Sequence, residues 1–191
     1  MNTTLNLIRS HSPCPEGWEK LLKHLGKTKA DDEPVSLATI LESNGLDDAI
    51  WCLRAVPNCD KEARLYAVWC ARKVQHLMTD PHGLAVLDVA ERHANGKATD
   101  EELEAAWAAA WDAARDADWS AAGNAASAAA SAAALPSARV AAWDAAAASA
   151  AALPAALPAA LPSARVAAWD AAQQEQEKKF VEMFCQEEVM T

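Results

Sequence analysis

Apolar positions recur at three- and four-residue steps through most of the chain, the spacing of helices that bury one face. In PEGWEKLLKHL, Trp18, Leu21, Leu22 and Leu25 fall on one side; Pro15 suits a first turn and Gly26 an end. This predicts a helix over Pro15–Leu25. A second is predicted to begin at Pro34, run through VSLATILES and stop at Asn44-Gly45. A third, Leu46–Val56, turns Leu46, Ile50 and Leu53 inward, and Pro57 excludes helical geometry from the residue before it. Behind Asp60 as N-cap, Lys61–Met78 sets Leu65, Val68, Trp69, Arg72 and His76 on one stripe and is apolar most of the way round. It is expected at the centre of an N-terminal core. Asp80-Pro81 then opens His82–Asn95, which Gly96 closes. No stretch alternates apolar and polar residues as a half-buried strand requires. The fold class predicted is all-α: a compact N-terminal helical bundle over residues 1–98, continuing into stacked Ala-rich, Pro-interrupted helices over 99–191 that are expected to pack on it as one unit.

That second region changes character. Thr99 and Glu102 form a capping box, with Asp100, Glu101 and Glu104 at the positive end of the helix dipole. Leu103, Trp107 and Trp111 follow at four-residue steps. Alanine dominates from there to Ala172. It is the best helix former, yet one methyl buries little area. The region is therefore expected to be held by its few large side chains: Trp107, Trp111, Trp119, Trp143 and Trp169, with Leu103, Leu135, Leu153, Leu157 and Leu161. Gly123-Asn124 is expected to break or bend a helix. Prolines 136, 154, 158 and 162 cut the field into rods. The segments predicted are helices over Ser137–Ala152 and Ser163–Glu188, joined by an irregular connector, Leu153–Pro162. The tail carries Phe180, Met183 and Phe184 as a small apolar patch on a charged helix.

One dodecapeptide is printed twice. LPSARVAAWDAA occupies Leu135–Ala146 and again Leu161–Ala172, an offset of 26 residues. Two copies are too few for a solenoid, which needs three or more repeats. Their identity points instead to a duplication, and the second copy is expected to pack much as the first does.

Composition adds exclusions. The 191 residues are 52% hydrophobic, but alanine supplies much of that share. Residues 1–98 carry 12 Lys/Arg against 13 Asp/Glu, whereas 99–191 carry 5 against 14. An acidic half disfavours direct nucleic-acid binding, which needs cations for the phosphates. It permits a basic protein partner, or mimicry of DNA. Five cysteines at irregular spacing, with no charged-then-apolar leader ahead of them, suit reduced thiols in a cytoplasm. Trp119–Ala138 and Ala145–Ala164 are uncharged, yet their Ala, Ser, Gly and Pro content argues against a membrane span.

No catalytic signature rises above this background. His82 and His93 share a helical face but lie roughly 16 Å apart along it, too far to hold one ion. The five histidines and five cysteines offer no closed zinc set. Asp88 with Glu91, and Asp112 with Asp116, are carboxylate pairs at ordinary solvent-face spacings. No Gly-rich phosphate loop or nucleophile motif is present. No enzyme activity, cofactor or metal is therefore expected. The informative feature is the eight tryptophans, a residue enriched where proteins grip each other. Most are expected to anchor the core, with Trp143 and Trp169 the exposed pair. The candidate partner-binding residues are Trp107, Trp111, Asp112, Asp116, Asp118, Trp119, Trp143, Asp144, Trp169 and Asp170. A DNA mimic needs a continuous acidic stripe. Residues 100–118 hold seven acids, but Asp144 and Asp170 are balanced by Arg139 and Arg165, which leaves two patches. Self-assembly through the Ala-Trp face is a further alternative.

RLYAVWCARKVQHLM (Arg64–Met78) and LDVAERHANGKATDEELEAAWAAAWDAA (Leu87–Ala114) resemble proteins of phages and prophages. There, a short Trp/Cys helix precedes an A-E-R-x-A-N-G-x-A-T-D-E-E-L segment and Ala-Trp-Asp repeats. Over Leu41–Ala146 the chain is similar to the Imm-5-like family of immunity proteins. The resemblance implies an all-helical, non-enzymatic protein of mobile DNA, in the cytoplasm of a bacterial host cell, that binds and blocks a toxin or a host defence component. It brings no catalytic residues.

Overall fold

The computed structural model describes residues 1–116, 121–134, 138–157 and 162–186, the side chains of 113–116 and 141 excepted. The chain is all-α. Ten α-helices and one two-stranded sheet make up the described residues. They form two compact units, one of residues 1–59 with 177–191, the other of 60–176.

The first unit begins with β1 (Asn2–Thr4), paired antiparallel to β2 (Pro34–Ser36), Thr3 opposite Val35. Three residues are too few to show alternation, so the sequence pattern could not reveal this sheet. The helix expected from Pro34 starts later for the same reason: Pro34–Ser36 is strand, and Ser36 caps the helix that follows. Its hydroxyl accepts from the Thr39 amide at 3.0 Å. Thr4 likewise caps α1 (Leu5–Ser10), which sequence reading had missed, and accepts from Leu7 N at 3.2 Å. α2 (Pro15–His24), α3 (Leu37–Asn44) and α4 (Leu46–Trp51) follow, and Cys52–Ala55 tightens into a 3-10 turn before Pro57. Leu5, Ile8, Leu37, Ile40, Ile50 and Leu53 fill the core. Phe180 and Phe184 join it, fully buried, with ring centroids 4.9 Å apart. The apolar patch expected on the charged tail helix turns into this core, with Met183 half-buried beside the two rings.

The second unit is built on α5 (Asp60–Lys73), which packs against α6 (Pro81–Ala94), α8 (Ala121–Ala133) and α9 (Ala138–Ala155). α7 (Asp100–Asp116) lies against α6 and α8, and α10 (Pro162–Phe184) contributes its residues up to Gln176. The expected boundary at residue 98 follows composition; packing instead groups residues 60–98 with the Ala-rich helices. α5 is central to that unit, not to an N-terminal one. Its buried residues are Ala63, Arg64, Tyr66, Ala67, Val68, Cys70 and Ala71; of the expected stripe Val68 is buried, Leu65, Trp69 and Arg72 are half-buried, and His76 beyond the helix is exposed. Ala63, Ala67, Cys70 and Ala71 let the alanine helices approach closely, and Tyr66 and Val68 fill the space between them.

Alanine itself, rather than the large anchors, makes this core. Ala125, Ala128, Ala129, Ala130, Ala132 and Ala133 of α8 are buried, as are Ala138, Ala142, Ala145, Ala146, Ala150 and Ala152 of α9, and α8 packs most extensively on α9. Of the expected anchors, Leu103 is fully buried, Trp107 and Leu153 are half-buried, and Trp111, Trp143, Leu157 and Trp169 are exposed. Leu135, Leu161 and Trp119 lie outside the described residues. α8 runs through Gly123-Asn124 without a break. The roughly 1 kcal/mol that glycine costs a helix interior is outweighed by burial of the alanines around it. α9 extends through Pro154, past the connector expected from Leu153. One more residue follows the proline, so its missing amide falls in the last turn, where Ala156 N and Leu157 N donate to Ala152 O and Pro154 O. Residues 135–137, 158–161 and 187–191, on which parts of the predicted helices fall, lie outside the described residues.

Candidate interaction surface

Thr99 and Glu102 close the predicted box at the start of α7: Thr99 N donates to Glu102 Oε2 at 2.9 Å and Glu102 N to Thr99 Oγ1 at 3.2 Å. The backbone amide of Thr99 is the largest cause of a Glu102 carboxyl held below its ordinary range. From there the ridge leaves the core by geometry. Each four-residue step turns about 40° around a helix with 3.6 residues per turn. Leu103 is fully buried, Trp107 half-buried, and Trp111 is 44% exposed. Ala110, seven residues from Leu103, swings back inside and is 1% exposed. The two indoles stack at 5.9 Å, so Trp107 supports the exposed ring of Trp111 from below.

Trp143 and Trp169, at the ninth position of each dodecapeptide copy, are 38% and 37% exposed. Beside them Asp144 and Asp170 face solvent, as does Asp112 on α7. Asp116 closes α7 and its side chain, like Asp118 and Trp119, lies outside the described residues. Exposed indoles thus occur on three different Ala-rich helices of the second unit. Their aspartates are neighbours in sequence.

The acids of α7 are partly engaged by their own chain. His93 Nε2 lies 2.7 Å from Asp100 Oδ1, and Arg92 Nη2 lies 3.2 Å from Glu102 Oε1. Asp88 and Glu91, the other carboxylate pair, both accept from Arg72 Nη2, at 2.8 and 2.7 Å. With Arg92, Asn95 and Lys97 they line an open hollow of about 440 Å³. Both carboxylates are exposed and paired with a cation, the ordinary arrangement of a solvated helix face. Among the described residues, no group of three or more His, Cys, Asp or Glu is placed to hold a metal. Nor is any helix there long and apolar enough to cross a membrane.

A hollow of about 270 Å³ escaped the sequence reading because its walls come from residues 69–74, 149–153 and 172–176. Lys73 Nζ sits 4.9 Å from the Trp69 ring centroid and 2.8 Å from Glu175 Oε2. Behind them Gln176 Nε2 donates to Ala146 O and to Ser149 Oγ, both at 2.9 Å, and Tyr66 Oη donates to Gln176 O at 3.2 Å. Burial pushes the adjacent Cys70 thiol up to about 12. A thiol so raised is protonated at neutral pH and is no nucleophile. This network ties α10 to α5 and α9.

Neither a protein-family model, nor a curated protein, nor a solved structure matches this chain.

Proposed function

We propose that the protein acts without catalysis, by binding another protein through the exposed indoles of α7, α9 and α10. The observation that carries this is the exposure of Trp111, Trp143 and Trp169, 44%, 38% and 37%, on three helices that turn other residues into the core. An indole left in solvent has apolar area to bury and a nitrogen able to donate, which is why tryptophan is enriched at interface hot spots. The resemblance to immunity proteins of mobile DNA supplies the partner class: a toxin or a host defence component, inhibited stoichiometrically in a bacterial cell. An acidic mimic of DNA is less favoured, because Asp100 and Glu102 are engaged by His93 and Arg92.

The test compares the parent chain with the variant Trp111→Ala/Trp143→Ala/Trp169→Ala as bait in bacterial extract. Loss of the captured partner, with the thermal midpoint unchanged, supports the reading. Capture that survives the triple substitution overturns it. A complex that persists at about 1 M salt, where charges are screened beyond about 3 Å, is held by apolar contact; one that dissociates there is acidic mimicry instead.

A further inference from the structure

Identical segments lie in one chain in different surroundings. In α9, which packs against α5 and α8, Ala138, Ala142, Ala145 and Ala146 are buried. In α10 their counterparts Ala164 and Ala171 are exposed, Ala168 is half-buried, and Ala172 alone is buried. The expectation that the copies pack alike is therefore wrong. Nothing inside the dodecapeptide explains the difference, since its twelve residues are the same. The cause has to lie outside it.

The buried stripe of α9 continues past the repeat through Ser149, Ala150 and Ala152, which are 2%, 2% and 0% exposed. At the same offset the second copy is followed by Glu175, Gln176 and Lys178. Seated beside α5 and α8, those residues would bury a carboxylate, an amide and an ammonium where a hydroxyl and two methyls now sit. Unpaired buried charge is strongly unfavourable, and long side chains overpack a closed site. In its own place Glu175 pairs with Lys73, and Gln176 donates to Ala146 O and Ser149 Oγ. Chain connection does not prevent an exchange of the copies, because loop-closure entropy grows slowly with length.

We propose that the turn following each copy sets the register of the fold. Ser149, Ala150 and Ala152 admit the first copy to the groove beside α5 and α8; Glu175, Gln176 and Lys178 exclude the second, which is otherwise an equal competitor. This holds whatever the protein binds.

Amide hydrogen exchange on the full chain reads it directly, since peptides from the copies differ in mass once the flanks are included. In the parent, 138–150 exchanges more slowly than 162–174. In Glu175→Ser/Gln176→Ala/Lys178→Ala, protection becomes shared: the first segment loses and the second gains. Unchanged protection of both overturns the proposal. Gln176→Ala also removes bonds in the native place, so the reciprocal set decides. Ser149→Glu/Ala150→Gln/Ala152→Lys alone loses protection in α9 and α5. Adding the three changes at 175, 176 and 178 restores protection of α5 and moves the slow segment to 162–176. A six-substitution chain as unprotected as the three-substitution one overturns the proposal.

Discussion

Arg139 clamps both carboxylate oxygens of Asp60, Nε at 2.8 Å from Oδ1 and Nη2 at 2.9 Å from Oδ2. Asp60 opens α5 and Arg139 stands in the first turn of α9, so one bidentate pair joins the two helices at their starts. Arg165 holds the same place in the second copy, yet its Nε donates to Pro154 O at 3.3 Å, at the end of α9. One residue type at one repeat position thus pairs with a carboxylate in one copy and caps a helix in the other.

The clamp gives stability a defined dependence on acid. Arg139 is the largest cause of an Asp60 carboxyl held below its ordinary value of 3.8. A lowered folded-state value means the contribution is present above the ordinary value and is lost as pH falls through the folded one. Asp60 is 55% exposed, so the contribution is screened, roughly 0.5 kcal/mol at neutral pH. Asp60→Asn should therefore unfold at lower urea than the parent at pH 7, with the gap closing as pH falls below the ordinary carboxyl value. Arg165→Ala should leave that pH profile unchanged.

Equivalent alanines of the two copies should respond oppositely to enlargement. Ala145 is fully buried in α9 and Ala171 is exposed in α10. Ala145→Leu should cost about 1–3 kcal/mol through overpacking. At about 2–4 °C per kcal/mol, a thermal melt resolves this easily. Ala171→Leu should melt with the parent.

The ridge on α7 should show a gradient. Leu103→Ala empties a site that is fully buried and should cost about 2–5 kcal/mol. Trp111→Ala, although it removes a far larger side chain, should stay within about 0.5 kcal/mol of the parent in urea unfolding. Equal losses at the two positions would mean that Trp111 packs in the core.

Thr99→Ala removes the hydroxyl that accepts from the Glu102 amide at 3.2 Å. A loss of about 1 kcal/mol is expected, the usual magnitude for an N-cap. Thr99→Ser, which keeps the oxygen, should recover most of it in the same unfolding measurement.

What the sequence determined by itself is local. The capping box at Thr99, the ends at Gly26, Gly45 and Pro57 and the all-α class all follow from neighbours a few residues apart. Helical spacing and terminal chemistry act over one or two turns, so they are legible in the chain. Only the tertiary structure decided what faces what. The three-residue pairing of Thr3 with Val35, the burial of Phe180 and Phe184 and the walls around Gln176 join residues far apart in sequence. A face of alanine also has no hydrophobic contrast to betray which side turns inward. The duplicated dodecapeptide isolates the point: Ala138, Ala142 and Ala145 are buried in α9, while Ala164 and Ala171 at the same places in α10 are exposed and Ala168 is half-buried, because burial belongs to the surroundings and helicity to the segment.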